Sequence, residues 1–368
     1  MLSTSRRYAG ALKMLPFAAF FALAACDTTT EPEPVTLDTG KALADYKAME
    51  SVFSTDGWAS FQALGSRSPL SSAAAIGTIS ALHDLPSANG ARAFALNLFG
   101  SVANQPHGVQ TTAEPVISPV HLGKTLVYNT ATDRYEIDPS RTGAPSNGTR
   151  FILYKVGANG RPVFAEEIGY ADLLDEGANT GAAIVLRMIG VKQGTTLIDY
   201  RMRVEPQGSG GTIEVSGFLA GENNARLDFS IDVAGTNTGG QTVIDLDFTI
   251  NMALRNFQID GTVHGIENSP GGEGTVHLTV QHGDKTLQVD MEGESGELNG
   301  AIRLNGNDFV TVTGPHTNPV FRNASGLPLN GPEVLLVLAI VDVTDDVFDM
   351  VENLLQPVDN LLVLGWIL

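Results

Sequence analysis

"RLDFSIDVAG", residues 226–235, and "QTVIDLDFTINM", residues 241–252, decide the fold. In the first, Leu227, Phe229, Ile231 and Val233 alternate with Arg226, Asp228, Ser230 and Asp232. The second sets Ile244, Leu246, Phe248, Ile250 and Met252 against Asp245, Asp247, Thr249 and Asn251. A period of two is the repeat of an extended strand, whose successive side chains point to opposite faces. Strict alternation therefore means one covered face and one wet face. The link between the two runs is short and ends in Gly239 and Gly240, so the strands are read as antiparallel neighbours.

The same texture extends in both directions. Downstream come Phe257, Ile259 and Val263, then Val276, Leu278 and Val280, then Leu287, Val289 and Met291, then Leu298, Ile302 and Leu304. Upstream, TLVYN and RYEID are spaced as a hairpin, and RFILYKV, PVFAEEI, AAIVLRMIGV and TTLIDYRMRVE follow, each bounded by Gly, Asn or Pro. About twelve to fourteen strands are implied, more than an open twisted sheet holds without curling. The expected fold is α+β, mainly β: a long antiparallel meander over residues 120–315, curved into a half-barrel or barrel and packed against N- and C-terminal helices.

Residues 39–105 read as a helical section. Leu43, Tyr46, Met49 and Phe53 recur every three or four residues, followed by Trp58, Phe61 and Leu64, by Ile76, Ile79 and Leu82, and by Phe94, Leu98 and Val102. Residues 330–368 form a C-terminal apolar segment. PEVLLVLAIV is apolar all round, and Thr344 reads as the cap of a second helix that carries Val347, Phe348, Val351, Leu354 and Leu355 until Pro357 stops it. Asp342, Asp345, Asp346, Asp349 and Glu352 interrupt this run, so it is expected to lie across the apolar face of the sheet.

The N-terminus has a different logic. Arg6, Arg7 and Lys13 lead into MLPFAAFFALAA, residues 14–25, a positive stretch followed by an uncharged apolar run. This is a signal-peptide layout, and the run is short of the ~20 residues a membrane-spanning helix needs. It ends in Leu23, Ala24, Ala25 and Cys26, the only cysteine of the chain. Over residues 1–27 the sequence resembles the lipobox of the bacterial lipoprotein family. The resemblance implies cleavage between Ala25 and Cys26, a diacylglyceryl group on the Cys26 sulfur, and in many species a further acyl chain on the new amine. Two or three chains make a stable anchor, at about 0.8 kcal/mol per buried methylene. The implied location is the cell envelope: the periplasmic side of the inner or outer membrane, or the cell surface. Residues 1–25 are then the signal peptide, and residues 26–38 the lipidated cysteine with a Thr- and Pro-rich tether.

Charge narrows the partners. Residues 1–25 hold three basic residues and no acid, so their removal takes the net charge from −19 to −22. Nucleic acid is not an expected partner, because phosphate binding needs clustered Lys and Arg. With Cys26 taken up by lipid, no thiol remains for disulfides, nucleophilic catalysis or metal binding.

The chain offers little else for chemistry. None of the seven histidines forms a helical metal pair. Gly293-Glu294-Ser295-Gly296 lacks the spacing of a nucleophile elbow and lies in a hairpin. No catalytic residue, metal site or cofactor is assigned, and the chain is not expected to be an enzyme. Asp228, Asp232, Asp245, Asp247 and Asp260 share the polar face, either as a calcium or carboxylate site or as an ordinary solvated surface. His264 and His277 are expected to be cross-strand neighbours on that face.

Two roles follow. In the first, the apolar face lined by Phe229, Phe248, Ile250 and Phe257 binds a lipid or other apolar ligand, in an architecture that resembles the half-barrel carriers of lipoprotein sorting. The same four residues suit a filled core, which is the commoner use of such a face. In the second, the protein is a surface-exposed structural or adhesive lipoprotein whose acidic face meets a partner.

Overall fold

The computed structural model describes residues 48–49, 51–66, 116–177, 183–207, 210–221, 225–238, 241–267, 273–315 and 318–367. The signal peptide, Ala25, Cys26, the tether and the apolar stretches at 76–82 and 94–102 lie outside the described residues. In the helical section, residues 48–49 and 51–53 are helical, with Met49 and Val52 buried, and α1 (Asp56–Ser66) follows.

Fifteen strands follow. They are β1 (Lys124–Asn129), β2 (Arg134–Ile137), β3 (Gly148–Val156), β4 (Pro162–Asp175), β5 (Ile184–Lys192), β6 (Thr195–Gln207), β7 (Gly210–Ala220) and β8 (Arg226–Thr238). β9 (Gln241–Met252), β10 (Phe257–Glu267), β11 (Glu273–His282), β12 (Lys285–Glu294), β13 (Glu297–Leu304), β14 (Asn307–Pro315) and β15 (Val320–Asn323) complete the set, and α2 (Gly331–Ile367) ends the chain.

All fifteen strands belong to one mainly β meander, ordered β15 through β3 by sequence and then β1 and β2. Each pair is antiparallel except β1 and β3, which run parallel, with Leu126 opposite Phe151. The chain reaches β3 from the outer strand β2, so it crosses past β1 and re-enters in the same direction. Tight turns hold the register elsewhere. Gln193-Gly194, Ser295-Gly296 and Asn305-Gly306 are two-residue links with both φ values positive, the turn whose twist matches that of the flanking strands.

The sheet curves but does not close, so the barrel alternative is not the one adopted. Its two edges, β2 and β15, are only four residues long. A single bridge between Arg322 and Pro328 covers β15, and Pro328 has no N–H to offer a further strand.

The apolar face is covered from both ends of the chain. In α1, Trp58, Phe61 and Leu64 are buried, and the Tyr154 amide donates to Ser60 Oγ at 3.2 Å. From the C-terminus, α2 buries Val347, Phe348, Val351, Leu354 and Leu355. Tyr200 on β6 is where the two helices meet the sheet. Its ring lies 6.0 Å from Phe61 and 5.6 Å from Phe229, and its hydroxyl donates to the Leu354 carbonyl at 2.7 Å.

The C-terminal segment is one helix where the sequence suggests two. It opens on a reciprocal cap, in which Asn330 Oδ1 accepts the Glu333 amide at 3.0 Å and Glu333 accepts the Asn330 amide at 2.7 Å. Thr344 caps nothing; its hydroxyl donates to the Ile340 carbonyl one turn back, at 2.9 Å. Pro357 sits inside the helix in a buried position. Burial of Leu354, Leu355 and Leu361 on either side offsets the ~3 kcal/mol that an internal proline costs. Among the described residues, no helix is long and apolar enough to cross a membrane.

Candidate functional site

The outward, polar face of the sheet divides into three zones by how its charges are used. Over β3 to β6 they cancel. Arg150 forms two 2.7 Å bonds to Asp172 and stacks 3.7 Å from the centre of the Tyr170 ring. Arg187 forms two 2.7 Å bonds to Asp199, which hold its guanidinium pKa well above the usual value. Glu176 accepts from Arg201 at 3.0 Å and lies 3.6 Å from Arg187.

From β9 to β14, imidazoles and an arginine engage the acids. His264 meets Asp245 at 2.5 Å, and His277 meets Asp290 at 2.8 Å. Arg303 binds both Asp290 and Asp308. The register places His277 opposite Thr262 and His264 opposite Thr275, so each histidine faces a threonine across the strand pair and bonds its own aspartate.

Between these zones the face is different. Glu214 on β7 faces Asp232 on β8, and Asp232 faces Asp247 on β9. Adjacent strands are ~4.8 Å apart, so three carboxylates stand in a row across the sheet. None has a hydrogen-bond or ion-pair partner among the described residues. The arginine opposite Glu214, Arg203, is engaged by Glu205 instead. Burial, then the charge of Glu214, then that of Asp247 push the Asp232 carboxyl above its ordinary pKa.

Beside this row the face forms an open hollow of about 320 Å³, lined by Ser230, Asp232, Asp247, Asp260, Thr262 and His277. Asp260 is already held, accepting from Thr249 at 2.8 Å and from Gln258 at 2.7 Å. Of the five aspartates that the sequence groups here, Asp228 is paired with Arg226, Asp245 with His264, and Asp260 with Thr249. Asp232 and Asp247 are left to face the hollow. Glu214 was legible by parity in GTIEVSGFLA, where Ile213 and Val215 flank it on the apolar side. Only the pairing of β7 with β8 reveals it as the third member.

No group of three or more His, Cys, Asp or Glu side chains among the described residues has a geometry that could hold a metal ion. The row can instead receive a positively charged group that lies along the sheet, because spacing rather than convergence is what it offers.

The apolar-face side chains are on the covered side of the sheet. Phe229, Phe248, Ile250 and Phe257 are neighbours on β8 to β10, and all four are buried in the core. Phe248 meets Phe348 of α2 edge to face at 6.1 Å. Two residues that sequence reasoning passed over also matter. Tyr200 joins both helices to the sheet, and Asp175 ties the entry of the chain to β4.

The chain matches no protein-family model, no curated protein and no solved structure. Function must therefore be argued from its own residues.

Proposed function

We propose that this chain is a lipid-anchored cell-envelope protein, held by acyl chains on Cys26, that presents the polar face of its sheet to a cationic partner in a structural or adhesive role and is not an enzyme. The observation that carries the reading is the Glu214–Asp232–Asp247 row beside the hollow. Uncompensated like charges destabilise a fold, and a cationic partner would relieve them. A lysine-rich peptide has both the charge and the reach to do so.

The anchor is tested separately from the face. Changing Cys26 to Ala should move the protein from the membrane fraction to the soluble fraction; unchanged membrane association would remove the lipid-anchor reading. For the face, the Asp232→Asn, Asp247→Asn double variant should bind a tetralysine peptide at least tenfold more weakly than the unmodified chain, as measured by calorimetry. A tetraglutamate peptide should not bind at all. Equal tetralysine binding by both proteins would sink the cationic-partner reading.

Stability should move the other way. Because the folded-state pKa of Asp232 is raised, its charged form is disfavoured in the fold. The penalty is absent where the group is protonated in both states, and it appears as pH rises through the raised pKa. The double variant should therefore melt higher than the unmodified chain near pH 7 and lose that advantage near about pH 3.

A second reading, an apolar ligand, has its own support in Val276, Val280 and Met291. These continue the apolar face across β11 and β12 but are only half buried. A lipid retained by the released Cys26→Ala protein in native mass spectrometry would favour it.

A further inference from the structure

Seven of the eleven large apolar side chains that stand exposed among the described residues fall between Val320 and Val343. On α2, Val334, Leu335, Leu338 and Val341 are spaced i, i+1, i+4 and i+7, which places them along one side of the helix. The opposite side of the same turns, Val337 and Ile340, is buried against the core. Further along, the outward positions turn polar, with Asp349 and Asn353 exposed. One apolar stripe is enough to pack a helix on a sheet, so the second stripe has no use within the fold described.

We propose that this stripe is the interface between two copies of the chain, packed helix against helix about a twofold axis. Area is the first argument. Val334, Leu335, Leu338 and Val341 are exposed by 41% to 57% of their full area. Together they offer roughly 350 Å² of apolar surface, so two copies would withdraw about 700 Å², the scale of a weak, reversible contact rather than of a permanent dimer.

Charge is the second argument. Between Ala324 and Val341 the only charged residue is Glu333, and it is held in the helix cap. Two strongly acidic molecules can therefore meet here without opposing carboxylates at the seam. A lipid surface fits less well. Helices that lie in a membrane interface flank the apolar stripe with Lys and Arg, and α2 has neither. Spacing is the third argument: i, i+4 and i+7 is the repeat of a helix–helix seam, and an identical stripe on a second copy is self-complementary.

Because Cys26 is the only cysteine, the full chain in its own membrane can be tested by cross-linking. Under mild oxidation with copper phenanthroline, the Leu338→Cys chain should give a disulfide-linked dimer on a denaturing gel. The chain carrying Asn299→Cys, exposed on the polar face, should stay monomeric, and the unmodified chain measures what Cys26 contributes. Adding Leu335→Asp to Leu338→Cys should lower the dimer yield at least fivefold, with the far-ultraviolet circular dichroism unchanged. Dimer no more abundant than with Asn299→Cys, or indifferent to Leu335→Asp, overturns the proposal. So does protection of the introduced thiol from a soluble maleimide only when bilayer is present, which would assign the stripe to lipid. Protection that persists in dilute, monomeric, detergent-solubilised protein would assign it to residues 67–115 of the same chain, and would overturn the proposal equally.

Discussion

Changing Asp175 to Ala should lower the free energy of unfolding by about 3–5 kcal/mol, although the side chain belongs to no binding face. Asp175 ends β4 and is 6% exposed, an uncommon burial for a carboxylate. One oxygen accepts the amides of Val116 at 2.5 Å and Ile117 at 3.2 Å, and the other accepts the Gly177 amide at 3.0 Å. Its backbone is held as well: the Asp175 amide donates to the Asn147 carbonyl at 2.8 Å, and Asn147 Nδ2 donates back to the Asp175 carbonyl at 3.2 Å. The carboxylate ties residues 116–117 to the turn after β4, and the Asp175 backbone adds Asn147. Alanine would take the carboxylate acceptor away from three amides, two of them in buried surroundings, and the loss of such a bond costs about 1–3 kcal/mol. Asparagine keeps one acceptor oxygen and should lose roughly half as much. Urea denaturation reads this as a lower midpoint at constant slope. A loss under 1 kcal/mol for alanine would mean that the clamp carries no load.

The sheet was legible because its signal repeats within each strand. Alternation in residues 226–252 places Phe229 and Ile250 on one face and Asp232 and Asp247 on the other, and the register pairs them in that way. What alternation cannot encode is which strand neighbours which. The parallel contact of β1 with β3 and the edge position of β2 depend on a crossover with no local signature. The continuity of α2 through Thr344 and Pro357 is hidden from the sequence for a related reason. Thr344 and Pro357 are cap and stop signals only when the chain around them is free to turn, and here burial on both sides holds the helix through them. The carboxylate row was half legible: parity gives its face, but the identity of the third member needs the pairing of β7 with β8. Asp175 carried no signal of any kind, since its partners at 116–117 lie far away in sequence.

Phe248 shows where pattern ends and packing begins, because a residue on an apolar face can line a cavity or fill a core. Its ring lies over Gly261 on the neighbouring strand, so closely that a methyl group at 261 would stand 2.2 Å from Phe248 Cζ. From the other side Phe348 meets it at 72°, and the two rings are only 4% and 2% exposed. Phe248→Ala and Phe348→Ala should each cost about 3–5 kcal/mol, the loss typical of emptying a filled aromatic site. Because the two rings share one contact, the double variant should fall short of the sum by about 0.5–1.5 kcal/mol. The Phe348 variant should also bind a hydrophobic dye while keeping its β-sheet circular dichroism, since loosening α2 uncovers the sheet without unpairing the strands. A ring that lined an open ligand site would behave differently. Its truncation would remove few protein contacts, cost well under 1.5 kcal/mol in the ligand-free protein, and show no coupling to position 348. Chemical denaturation of the two single variants and the double variant separates these outcomes, and the close approach of Gly261, Phe248 and Phe348 is the physical reason to expect the larger cost.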